Sequence, residues 1–161
     1  MNPSVFGSLY LENNLLYHKT TVERIQLMGW NFDTVTSDET PVEVTIRNNS
    51  FINLRGTNIF LVLNRANVGY ERNIFCVTLD SSYSSYLYKL KSDASTATVA
   101  DNILYDAGVN WAVAASGSAV MPDTNTLEKV ASNPFTTADC SSGIFRKSVQ
   151  YADYGSDIEQ M

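Results

Sequence analysis

Residues 40 to 64, "TPVEVTIRNNSFINLRGTNIFLVLN", constrain the fold more than any other part of the chain. Val42, Val44 and Ile46 alternate with Glu43 and Thr45, the period-two pattern of a strand with one buried face. "RNNS" interrupts it and reads as a turn, because Asn tolerates left-handed backbone. A second short strand follows over 51–55, with Ile52 and Leu54 on one face. "RGTN" is a further turn, with Gly56 available for positive φ. "IFLVL" at 59–63 is continuous, apolar and partly β-branched, so it predicts a central strand buried on both faces. Three strands in so short a span predict a meander. Arg47, Arg55 and Arg65 fall at strand ends or beside turns, where they read as the solvated rim of a sheet.

The pattern continues along the chain. "NIFCVTL" (73–79), "YLYKLK" (86–91), "GVNWAVAA" (108–115) and "GIFRKSVQY" (143–151) are strand candidates. Turn signals recur at the spacing typical of sandwiches and barrels. Segments 9–28 and 96–105 fit helix or strand, and "TNTLEKVAS" (124–132) fits a short capped helix. No internal repeat is evident. The expected fold is all-β, an antiparallel sandwich or barrel, jelly-roll-like among its forms, with at most one or two short helices. Residues 1–151 form a single β domain in this reading, and 152–161 an acidic C-terminal tail or arm that frays or orders against a partner.

Composition narrows the function. The 161 residues are 44% hydrophobic but only 17% charged, with a net charge of −6 and a pI near 4.6. Ser, Thr and Asn take the place of charge, and they favour turns and sheet surfaces over helix interiors. Duplex nucleic acid needs a basic block to neutralise phosphates, and none stands out here, so no nucleic-acid partner is expected. The N-terminus lacks the charged and apolar regions of a signal peptide, and no apolar run is long enough for a membrane span.

Catalytic chemistry has few footholds. His18 is the single histidine, and GxSxG, GxxxxGK[ST] and GxGxxG do not occur. Cys76 and Cys140 lack metal-ligand spacing; Cys76 reads as a small buried hydrophobe, and a Cys76–Cys140 disulfide is left open. Asp123, Asn125 and Glu128 are loosely spaced like an oxygen-ligand loop but fail the EF-hand pattern, with Leu127 at a ligand position. Acidic and hydroxyl residues in the first turn of a helix are the stronger reading there. Asp153, Asp157 and Glu159 have no better claim to a metal. No catalytic residue, metal or cofactor is expected.

"SSYSSYLYK" (81–89) interleaves Tyr and Ser, the composition of binding surfaces. Tyr83, Tyr86 and Tyr88 are therefore the candidate interaction surface, against the plainer reading of tyrosines packed at the rim of a strand. "NNS" at 48–50 fits a glycosylation sequon but reads as a turn. In overall character, β-rich, poor in charge and rich in Ser, Thr and Asn, the chain resembles accessory virion proteins of tailed phages, such as capsid decoration proteins, head-fibre bases and small tail components. The resemblance implies a non-enzymatic structural or assembly protein of the virion, made in the host cytoplasm, acting through contacts with itself and a larger assembly. The alternative is a β-sandwich module that binds carbohydrate or a receptor, supported by an aromatic content of 11%.

Overall fold

The structure is a computed structural model, and it describes residues 8–18, 28–31, 42–54, 58–63, 66–77, 85–90, 96–106, 111–115 and 127–157. Its strands are β1 (Ser8–Glu12), β2 (Leu15–Tyr17), β3 (Met28–Asn31), β4 (Val42–Arg47), β5 (Ser50–Ile52), β6 (Asn58–Leu63), β7 (Ala66–Glu71) and β8 (Ile74–Val77). There follow β9 (Ser85–Leu90), β10 (Thr96–Ala100), β11 (Asn102–Asp106), β12 (Trp111–Ala115), β13 (Leu127–Lys129), β14 (Phe135–Asp139) and β15 (Ile144–Lys147). Among the described residues the one helical element is a 3-10 turn at Val149–Tyr151.

Strand order defines the architecture. One sheet runs β1-β4-β7-β10, a second β13-β11-β8-β5-β2 and a third β12-β9-β6-β3. Every pairing within these three sheets is parallel. From β1 to β12 the chain thus visits each sheet in turn and stacks on itself every third strand, and β13 then returns to the second sheet beside β11. Each circuit, such as β4–β5–β6, is one coil of a three-sided parallel β-helix. Among the described residues only β14 and β15 pair antiparallel, as a hairpin near the C-terminus.

This overturns the expected antiparallel sandwich or barrel, and with it the meander over 42–63. The strands lie close to where alternation placed them, but β4, β5 and β6 belong to three different sheets. The physical reason lies in the corner between them. A hairpin turn reverses the chain, whereas here Asn13, Asn48, Arg72 and Asp101 each take a left-handed φ of 52° to 54° and redirect it into the next sheet. The N–H groups of Asn13, Asn48 and Arg72 then bond to Arg47, Glu71 and Ala100 of the following coil. Corner stacks on corner in register, from Arg47 opposite Glu71 to Ser50 opposite Ile74.

The corners are also an internal repeat, contrary to the sequence reading. "NNLLY", "NNSFI", "RNIFC" and "DNILY" are equivalent, each a left-handed residue, an asparagine and a short apolar strand. Successive asparagines are 35, 24 and 29 residues apart. Unequal lengths of the rest of each coil hide the period.

Alternation predicts the buried face of β4 correctly: Val44 and Ile46 are buried while Glu43 and Arg47 are exposed. The second sheet is buried on both faces. Phe51 and Phe75 stack at 5.0 Å on one face. On the other, Ile52, Ile74, Cys76 and Ile103 form a core with Val130, Phe135, Phe145 and Tyr151 of the C-terminal segment. Residues 130–157 therefore cover this sheet from outside. Segment 124–132 holds β13, paired parallel to β11, instead of the expected short helix. There, pairing with a preformed strand outweighs a weak local preference for helix.

Candidate functional site

A ladder of side-chain amides runs up the corner between the first and second sheets. Asn14 donates its N–H to Asn49 Oδ1 at 2.9 Å and its Nδ2 to the same oxygen at 3.1 Å. Asn49 repeats both contacts to Asn73 Oδ1, at 3.0 and 3.1 Å. Asn73 repeats them to Asn102 Oδ1, at 3.0 and 2.9 Å. The remaining amide hydrogens go down to backbone: Asn49 to Leu11 O, Asn73 to Ile46 O and Asn102 to Tyr70 O. Asn49, Asn73 and Asn102 are fully buried, so each buried amide is satisfied by its neighbours in a low-dielectric setting.

The ladder has two unlike ends. At the C-terminal end Asn102 pairs with Leu127, which has no amide to pass on. At the N-terminal end both Asn14 donors are engaged, and no donor reaches its Oδ1 among the described residues. The first coil is correspondingly half-covered. Leu9, Leu11 and Leu16 share faces with Val44, Ile46 and Phe51. Those partners are at most 1% exposed, whereas the three leucines remain partly open, and Tyr10 beside them is 64% exposed.

The C-terminal segment carries the reactive groups. Burial pushes the Cys76 thiol up to about 12, and the neighbouring Cys140 adds to the rise. Cys76 donates to Asn133 Oδ1 at 3.4 Å. Cys140 accepts from Asn53 Nδ2 at 3.3 Å, and burial raises its pKa against that contact. Both cysteines are free. The Asp139 carboxylate accepts from the hydroxyls of Ser141 and Ser142, each at 2.6 Å, which holds it well below the usual carboxylate range. A groove of about 780 Å³ runs beside the hairpin, lined by Leu15, Phe135, Phe145, Arg146 and the exposed Val149 among others. Nucleophiles held protonated suit packing better than catalysis. A thiol reagent at pH 8 is expected to modify half-buried Cys140 at least tenfold faster than Cys76. Equal rates by peptide mass mapping would show that the C-terminal segment does not stay docked.

The sequence-derived candidates are scattered. Tyr83 lies outside the described residues. Tyr86 and Tyr88 sit on β9 in the third sheet, opposite Asn58 and Phe60, with their side chains outside the description. Arg47 is exposed and forms a two-pronged ion pair with Glu12, at 2.8 and 3.2 Å; Arg55 and Arg65 fall outside the described residues. His18 is half-buried and donates its backbone N–H to Ile52 O at 3.1 Å. Asp123, Asn125 and Glu159 are likewise undescribed, while Glu128, Asp153 and Asp157 are exposed. Within the acidic tail segment, Asp157 N–H reaches Asn13 Oδ1, Gly155 N–H reaches Arg72 O, and Ser156 is buried on Ser50. Sequence reasoning missed the ladder; its signal was the recurring asparagine directly before an apolar run.

No family model, curated protein or solved structure matches the chain. Among the described residues no helix is long and apolar enough to cross a membrane.

Proposed function

We propose that this chain is a non-enzymatic structural subunit, a stiff β-helical segment that acts through protein–protein contacts in a larger assembly. A virion is the assembly that its sequence character fits best. The observation that carries the reading is the amide-stitched stack of coils with a half-covered apolar first coil. Such a stack resists bending because each coil is hydrogen-bonded to the next through backbone and side chain together. Among the described residues one end is also open: partly exposed leucines and strand edges without a described partner are features that soluble monomers normally hide. Low charge suits permanent contacts, where a buried unpaired charge would be costly.

The test is the native mass of the protein taken from its source, by sedimentation and mass photometry. Co-migration with a particle, or a defined oligomer, is the expected result. A monodisperse monomer that sediments with no particle would contradict the reading.

A further inference from the structure

We infer that the N-terminal end of the β-helix is its attachment surface, and that the occupant is a β-strand segment of a different polypeptide, which adds one coil and donates N–H groups to Asn14 Oδ1. This deepens the assembly reading above by naming the surface and the kind of partner. Three observations meet at this end. Among the described residues β1 and β2 are edge strands, each paired on one side only. Leu9, Leu11 and Leu16 point into the helix interior in register with fully buried residues, yet stay partly exposed. In each of the three steps of the ladder, the amide oxygen of one coil takes two N–H groups from the coil before it; Asn14 Oδ1 takes none among the described residues.

These features describe the missing neighbour. It must be extended, to pair with β1 and β2. It must place apolar side chains over the three leucines. It must present N–H donors at the corner, since among the described residues Asn14 has an open acceptor and no open donor.

A second copy of this chain fits poorly. Head to head across a two-fold axis, Asn14 Oδ1 would face its own counterpart, acceptor against acceptor, with every Asn14 donor already bonded. Head to tail, the incoming coil would bring Leu127 to the corner, which has no side-chain amide and leaves the two-donor contact half made. The partner is therefore a heterologous strand with an Asn-like corner, and the contact does not propagate into a filament.

A labelled peptide with the sequence of residues 41–54 of this chain, "PVEVTIRNNSFINL", serves as the probe, because it carries a strand, an asparagine corner and a strand. Titrated with the full-length protein, it is expected to bind saturably by fluorescence polarisation and to protect β1 and β2 amides from hydrogen exchange. Changing its corner asparagine, Asn49→Leu in the peptide alone, should weaken binding about tenfold or more, with the host protein unaltered. Leu16→Arg in the host, verified as folded by circular dichroism, should abolish it. Failure to bind, protection elsewhere, or indifference to the peptide change would overturn the proposal. So would self-association of the protein through protected β1 and β2 edges. The assay involves no parent particle, so its failure and that of the assembly reading are separate events.

Discussion

Asn73→Ala is expected to destabilise the protein by about 3–5 kcal/mol, because a buried hydrogen-bonding group left unmade costs about 1–3 kcal/mol. Asn73 sits in the middle of the ladder and is fully buried. Its side chain accepts from the backbone and the amide of Asn49 and donates to Ile46 O and Asn102 Oδ1. Alanine removes all four contacts at once. The Asn49 N–H loses its acceptor, and the Ile46 carbonyl and the Asn102 oxygen lose donors, in a place water does not reach. A domain of this size is stable by about 5–15 kcal/mol, so one such substitution removes a large share. Arg47→Ala is the control: its ion pair with Glu12 is exposed, and such pairs contribute about 0–1 kcal/mol. Urea unfolding of the two variants should show a large fall in midpoint for the first and a small one for the second. Equal, small shifts would mean that the amides are not stacked.

Phe145→Ala should cost about 3–5 kcal/mol of docking energy, in the range for truncating a buried aromatic. Phe145 lies on the hairpin strand β15, 3% exposed. Its ring meets Tyr17 at 4.8 Å and Phe135 at 6.4 Å. It is therefore part of the hold that residues 130–157 keep on the outer face of the second sheet. The loss should be local before it is global. Residues 130–157 should exchange their amides faster, while the inward-facing Phe51–Phe75 stack and the ladder remain protected. Cys76, which depends on that cover, should become modifiable at nearly the rate of Cys140. Unchanged protection of Cys76 in this variant would mean that the C-terminal segment is held by other contacts.

Much of the strand content was legible in the residues, and the architecture was not. Val44 and Ile46 against Glu43 and Arg47 state which face of β4 is buried. Period two carries no information about which strand pairs with which, nor in what sense. The decision lies at the corner, where Asn48-Asn49 is chemically indistinguishable from a two-residue hairpin turn. Only three-dimensional stacking shows Asn49 turned inward on Asn14 and Asn73. A regular repeat would have revealed the solenoid, but spacings of 35, 24 and 29 residues blur it. The apolar run "IFC" in β8 fits a strand buried on both faces, yet half of that burial comes from residues more than fifty positions later. The candidate site was hidden for the same reason. Asn14 looks like any turn asparagine until its place at the end of a ladder is known, and Leu9, Leu11 and Leu16 look like ordinary core until their coil proves to be the outermost of those described.

The ladder is the feature on which both the stability and the attachment account depend, and the side-chain amide protons report it directly. In a ¹⁵N-labelled sample, nuclear Overhauser effects are expected between the amide groups of Asn14 and Asn49, Asn49 and Asn73, and Asn73 and Asn102, with the Asn49, Asn73 and Asn102 side-chain protons exchanging with water far more slowly than those of exposed asparagines such as Asn13. Side-chain amides that exchange at solvent rates, with no cross-peaks between successive asparagines, would contradict the account.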